Sequence, residues 1–386
     1  MFLQIVLSLF GGLQLLQPVA AHAVPLPPSV DPFYQPPPGF ESRKPGEILR
    51  SRAIDIPSSV TGASRGHQLL YRSIDSHRNS DAVVTTIFAP SNEPCTEVLS
   101  LQTAYNSPAT DCAPSYTLRS GTASLPEQDV IPMALKYGWC VSIPDFEGPR
   151  GAYTNGLQSG YATLDSIRAL SRSGNVTGIS SSAKFALAGG SGGAIGSEWA
   201  LELMHEHAPE IEERLVGALL TALVPNVTST FLSVDGTISS SLIPLSLLGL
   251  SKQSSSFADW LAGATTPNQT SSFFAATTSC ADKFGTSFSF RSSKSFLRRT
   301  NAVLESVPQS TIEKVGLMGR HGRPSIPILV YKGTQDRVSP VVDTDRLVTE
   351  YRSCGVQIEY RKATNAGHSL AGSYGFVVGL PCRVDV

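Results

Sequence analysis

The chain has 386 residues, 41% of them hydrophobic, and its 30 basic and 31 acidic side chains leave a formal charge of -1. That composition supports a large folded core. It gives no electrostatic reason to expect a nucleic-acid partner, because Lys and Arg are scattered rather than gathered into a stripe.

Residues 1–23 read as a secretory signal peptide: an apolar stretch from Phe2 to about Leu16 is followed by Ala21-His22-Ala23, a small-x-small cleavage pattern, with Pro25 close behind. The stretch is shorter than the roughly 20 apolar residues a membrane span needs, and no later run is long enough, so no transmembrane anchor is expected. The expected location is extracellular. Residues 24–60 begin "VPLPPSVDPFYQPPPGFE" and read as a proline-rich arm laid over the surface.

From residue 61 onward, apolar β-branched runs alternate with amphipathic stretches. Strands are expected at 82–90, 97–105, 139–145, 184–190, 216–224 and 326–333, and helices at 129–138, 157–172, 193–208 and 340–355. Strands that alternate with helices predict a mostly parallel sheet covered on both faces. The alternation breaks over 225–315, which is Ser/Thr-rich and carries the apolar stretch "SLIPLSLLGL". That segment reads as an inserted helical cap, leaving 61–224 and 316–386 as the core.

Six cysteines (Cys95, Cys112, Cys140, Cys280, Cys354, Cys382) lie beyond the signal peptide. An even count in a secreted chain suggests disulfides, with the pairing open. There is no CxxC and no zinc-like spacing, so no metal site is expected. Sequons at Asn175, Asn226 and Asn268 fit passage through a glycosylating pathway.

The densest glycine cluster surrounds Ser191 in "ALAGGSGGAIGSEWA". Gly189-Gly190-Ser191-Gly192-Gly193 fits G-x-S-x-G between an apolar strand and a helix, the context of a nucleophile elbow. The sharp turn brings the residues two before and two after the serine nearly into contact, so both must lack bulk. A dinucleotide-binding turn is the other reading of such glycines, but no acidic residue closes a second strand about 20 positions on.

A serine needs a base to take its proton. With the order serine, acid, histidine, the late histidines are the candidates. His321 lies in the charged loop "GRHGRP", whereas His368 follows a strand that ends in the Asn-Ala-Gly turn "KATNAG", which suits an imidazole presented at the sheet edge. His205 and His207, two apart on a helix, face different ways and read as surface residues. The acid should end an intervening strand, and "IPILVYKGTQD" supplies Asp336. Asp343 and Asp345 read as solvated helix positions, and Asp145, which precedes the serine, as a brace for loops.

The stretches "LLYRSID" (69–75), "QTAYNSPATDCAPSY" (102–116), "PDFEGPRGAY" (144–153), "GLQSGYATLDSIRAL" (156–170), "GGSGGAIGSEWA" (189–200) and "YKGTQDRVSP" (331–340) together resemble the fungal secretory lipases of the Candida lipase A type, an α/β-hydrolase family. The resemblance implies Ser191, Asp336 and His368 as nucleophile, acid and base, and a helical lid inserted after the nucleophile half. It also implies disulfides Cys112–Cys280 and Cys354–Cys382, with Cys95 and Cys140 left over, either paired or as buried thiols. The implied oxyanion hole is the Gly192 N–H together with Asn106, which stands in "AYNS" where the family has an aspartate. After His368 only "SLAGSYGFVVGLPCRVDV" follows, where relatives carry a longer final helix.

The implied activity is hydrolysis of triacylglycerols or similar lipid esters, met at an oil–water interface, with no cofactor. A carboxylesterase or acyltransferase acting on shorter esters is the alternative on the same residues. An inactive secreted binding protein on the hydrolase scaffold is the alternative without chemistry.

Overall fold

A computed structural model describes residues 24–91, 94–122, 125 and 127–380. The signal-peptide reading of 1–23 lies outside the described residues. Nine strands form one sheet: β1 (Ile48–Ala53), β2 (Arg65–Ile74), β3 (Ser80–Ala89), β4 (Cys95–Gln102), β5 (Cys140–Pro144), β6 (Ile179–Gly190), β7 (Leu215–Thr221), β8 (Ile328–Gly333) and β9 (Ile358–Ala363). Their spatial order is β1-β2-β3-β5-β4-β6-β7-β8-β9. The first four in that order pair antiparallel, and from β5 to β9 every pairing is parallel. This is an α/β-hydrolase fold.

The parallel strands are apolar on both faces because helices cover both. In β8, Ile328 and Val330 pack into one buried cluster and Leu329 into the other, as a period of two requires. Flanking the strands are α1 (Pro114–Ser120), α2 (Val130–Lys136), α3 (Gly156–Leu170), α4 (Gly174–Thr177) and α5 (Gly192–His207). Toward the C-terminus come α12 (Val341–Ser353) and α13 (His368–Gly379). Side chains of α3, α5 and α12 fill the first cluster, and those of α1, α2 and α13 contribute to the second.

Two strands depart from the sequence reading. β1 lies inside the segment read as an extended arm, and β2 follows it. Both mix polar with apolar residues for different reasons: β1, the antiparallel edge, leaves Arg50 and Ser51 exposed, whereas β2 buries Gln68 and Ser73 and satisfies them through hydrogen bonds to Thr86 and Asp165.

Between β7 and β8 run α6 (Val227–Val234), α7 (Leu242–Ser251), α8 (Ser255–Ala264), α9 (Thr270–Phe274), α10 (Ala281–Phe288) and α11 (Ser306–Val315). They enclose a separate apolar cluster that includes Phe231, Leu248, Phe257, Phe273, Phe288 and Phe296. A disulfide between Cys112 and Cys280 joins this helical layer to the loop after β4. Ser76 N–H donates to Gln253 Oε1 at 2.9 Å, and the Tyr153 hydroxyl bonds Ser246 on α7. No helix among the described residues is long and apolar enough to cross a membrane.

Candidate active site

Four loops leave the carboxyl ends of the parallel strands β4, β6, β8 and β9, the edge at which open α/β sheets bind ligands. They carry Asn106, Ser191, Asp336 and His368.

Ser191 sits between β6 and α5 with φ 53° and ψ -117°, a conformation L-residues seldom adopt. Close approach sets the glycines around it. A Cβ on Gly189 would stand 2.3 Å from the Gly193 carbonyl oxygen, and a Cβ on Gly193 would stand 1.9 Å from that of Gln102 on β4. The turn is further tied by the Ser191 N–H, which donates to Thr221 O at the end of β7 at 2.9 Å.

His368 is the first residue of α13. Its Nε2 lies 2.7 Å from Ser191 Oγ and its Nδ1 2.7 Å from Asp336 Oδ2. Asp336 has a fully buried side chain, and its Oδ1 accepts the N–H groups of Val338 at 2.8 Å and Ser339 at 2.9 Å. An ionised Asp336 is acceptor-only, so the imidazole proton resides on Nδ1 and Nε2 is left to accept from the serine hydroxyl.

Sequence reasoning missed the next partner. Lys332, fully buried on β8, sets its Nζ 2.8 Å from Asp336 Oδ2 and donates to Leu223 O at 2.7 Å. Burial alone would raise the Asp336 pKa. The hydrogen bond and charge of His368, and then the Lys332 ammonium, outweigh it and hold the carboxyl at about 2. Burial moves Lys332 the other way, below the usual ammonium range, against the pull of Asp336. One signal was present: period two puts Lys332 on the same face as Val330 and Ile328, inside a run without solvated positions.

On the other side of Ser191, Asn106 lies in the left-handed region with φ 49°. Its carboxamide is packed over Gly192, where a Cβ would stand 1.9 Å from Asn106 Oδ1, and that oxygen is buried without a hydrogen-bond partner. The Asn106 backbone N–H is engaged by the carboxylate of Glu147. Only its side chain is therefore available to a ligand. The N–H of Gly192, at the first position of α5, has no acceptor within the helix.

Other sequence candidates fall away from this centre. His205 is exposed, whereas His207 corrects the surface reading: its ring is buried against Tyr161 and bonds Asp165 at 3.0 Å, because α5 and α3 pack tightly there. The His321 ring lies beside Trp199, with Nε2 2.9 Å from Lys314 O. Asp145 accepts from Ser115 N–H at 2.9 Å and from its hydroxyl at 2.5 Å, bracing two loops. Asp343 is buried rather than solvated, since the first turn of α12 faces inward. Asp345 pairs with Lys362 at 2.7 Å.

Cys95, left over in the sequence reading, is joined to Cys140 across the neighbouring strands β4 and β5. Cys354 is exposed and forms no disulfide with a described residue, and Cys382, its expected partner, lies outside the described residues. Asn175 and Asn268 are exposed, while Asn226 is half-buried and caps α6 through Ser229 N–H at 3.2 Å.

Known proteins resemble this arrangement over most of the chain. A family profile described as "Secretory lipase" matches residues 119–378. A trichothecene C-3 esterase of Fusarium sporotrichioides is 37% identical over 90% of this chain and 81% of its own length. Lipase A of Arthroderma benhamiae is 34% identical over 95% of this chain and 81% of its own. Among solved structures, Candida antarctica lipase A superposes with a TM-score of 0.81 at 25% identity, covering 90% of this chain and 83% of that one.

Proposed function

The chain belongs to the secretory lipase family and is a carboxylic ester hydrolase; from that premise we propose that it is secreted and cleaves triacylglycerols or similar lipid esters, with Ser191 as nucleophile, His368 as general base and Asp336 as the acid that orients it. The observation that carries the reading is the unbroken relay of two 2.7 Å hydrogen bonds from Asp336 through His368 to Ser191.

In this reading Ser191 Oγ attacks the ester carbonyl carbon while His368 Nε2 takes its proton. Asp336, held ionised by His368 and then by Lys332, stabilises the imidazolium and fixes its tautomer. The carbonyl oxygen becomes an oxyanion that accepts from the Gly192 N–H and the Asn106 side-chain amide. The unpaired polar atom of Asn106 supports this role, because a half-turn of the carboxamide presents Nδ2–H at the same spot. His368 then protonates the departing alcohol oxygen, leaving Ser191 acylated. Water, activated by the same imidazole, releases the fatty acid.

Residues 225–315 act as the lid over this centre. Their apolar packing suits acyl chains, and the Cys112–Cys280 bridge tethers them beside the Asn106 loop. The two disulfides suit an oxidising compartment, and the exposed Asn175 and Asn268 suit glycan attachment.

A second reading draws on the 37% identical relative: esters of a trichothecene-type alcohol in place of glycerides. Hydrolysis of a glyceride series and of trichothecene C-3 esters, by wild type and by Ser191→Ala, separates the two. Glyceride turnover that drops at least about 10⁴-fold in Ser191→Ala is the expected result. Turnover of the trichothecene esters alone would replace the first reading with the second. Failure of an organophosphonate to label Ser191 would remove both and leave a binding protein.

A further inference from the structure

Two carboxyl groups with no part in the relay hold the loop that carries Asn106. At its start, Glu127 Oε2 accepts the Ala104 N–H at 2.8 Å. At its end, Glu147 Oε2 accepts the Ser107 N–H at 3.2 Å and the Asn106 N–H as well. The Glu147 N–H returns the contact by donating to the Tyr105 hydroxyl at 2.7 Å. Every residue from Ala104 to Ser107 is thereby bonded to one or other glutamate. Glu127 also reaches the remaining walls of the site. A Cβ on Gly190, next to Ser191, would stand 3.0 Å from its Oε1 and 3.0 Å from the ring of Phe376 on the histidine helix.

Both glutamates are buried, and among the described residues neither has a cation beside it. The titratable groups facing Glu147 are Asp145 from its own loop, Tyr105 from the Asn106 loop and Tyr153 below α7. Glu127 accepts from Ala104, its Oε1 shares the space above Gly190 with Thr221 and Phe376, and among the described residues no charged side chain acts on it. Glu147 Oε1 is buried without a hydrogen-bond partner. A carboxylate in such surroundings favours the neutral acid. Burial raises Glu127 to about 8 and Glu147 well above the usual carboxylate range, against the pull of the amides that each accepts.

We propose that Glu127 and Glu147 are positioning residues for the oxyanion hole: their carboxyl groups pin the backbone of residues 104–107, so that the Asn106 side chain is held against Gly192. This rests on the reading of Asn106 as an oxyanion donor. Among the described residues an ionised Glu127 has no cation to turn to, so its charge draws in water, and the packing that holds Ala104 shifts with it.

The test compares Glu→Gln and Glu→Leu at both positions, with kcat counted per site titrated to completion by an organophosphonate. Gln keeps a carbonyl acceptor in the shape of the neutral acid, while Leu removes it. Glu127→Gln and Glu147→Gln should keep kcat at pH 7 within about threefold. The Leu variants should lose about 10²-fold in kcat with KM nearly unchanged, the loss expected for a misplaced oxyanion donor. Wild-type kcat should fall through an alkaline limb near pH 8 that Glu127→Gln lacks.

Leu variants with wild-type kcat would overturn the proposal. If the Leu variants do not fold, an alkaline limb retained in Glu127→Gln overturns it instead. A Gln variant as impaired as its Leu counterpart overturns the neutral-acid assignment. Ser191→Ala keeps the two levels apart: if it is inactive while all four glutamate variants behave as wild type, the clamp fails and the ester chemistry stands.

Discussion

The two walls of the site treat a buried carboxyl in opposite ways. On the histidine side, Asp336 has a lysine ammonium at 2.8 Å and an imidazole at 2.7 Å, and two backbone amides complete its shell. On the Asn106 side, Glu127 and Glu147 accept backbone amides just as Asp336 does but, among the described residues, face no cation. The hydrogen bonds are alike, so the neighbouring charge decides which carboxyl ionises. The difference suits the proposed chemistry, in which an imidazolium forms on one wall and needs a fixed negative partner, whereas a negative oxygen forms on the other. A carboxylate there would oppose it.

The largest effect should come from removing the charge on the first wall. Asp336→Asn retains the shape but offers an amide that can donate to Nδ1 and so select the wrong tautomer. Its kcat on a soluble ester should drop by about 10⁴-fold with KM little changed. A loss under tenfold would mean that the imidazole does not depend on Asp336. A smaller effect is expected from adding a charge to the second wall. Asn106→Asp places a carboxyl in the hole, where it can donate only when protonated. Activity at pH 8 should fall by about 10²-fold and recover as pH is lowered. An unchanged pH profile would show that the Asn106 side chain is not a donor.

How far each wall was legible follows from the same contrast. Ser191, Asp336 and His368 stand at strand ends in a fixed chain order, and the glycines around Ser191 answer to backbone clashes that any sequence with this turn must avoid. The parallel strands β6, β7 and β8 announce themselves as apolar runs. β1 and β2 do not: the edge strand β1 exposes Arg50 and Ser51, and β2 buries Gln68 and Ser73 against partners distant in the chain. Asn106 was visible only through the family resemblance: an asparagine in "AYNS" has no local pattern that marks it as a donor. Glu127 and Glu147 were invisible for a physical reason. In a sequence a glutamate reads as solvated, and nothing nearby in the chain reveals that distant amides will meet it in the core.

Lys332 provides the finest cut between the walls, since it is the cation that makes Asp336 unlike the two glutamates. Lys332→Met keeps the length and the apolar stem but removes the ammonium. Leu223 O loses its donor, and Asp336 keeps His368 Nδ1 and the two loop amides as its remaining hydrogen-bond partners. Without Lys332 the Asp336 carboxyl should rise from about 2, because burial then acts with less opposition. An Asp336 that protonates more readily stabilises the imidazolium less. The expected result is a loss of kcat/KM that grows as pH falls toward the range in which Asp336 protonates, with that acid limb beginning at higher pH than in wild type. The sign applies to the limb at which Asp336 itself protonates: weaker support for the carboxylate moves that limb upward. A pH–rate profile that superimposes on wild type would mean that His368 and the two loop amides suffice to keep Asp336 ionised, and the contrast between the walls would then rest on the imidazole alone.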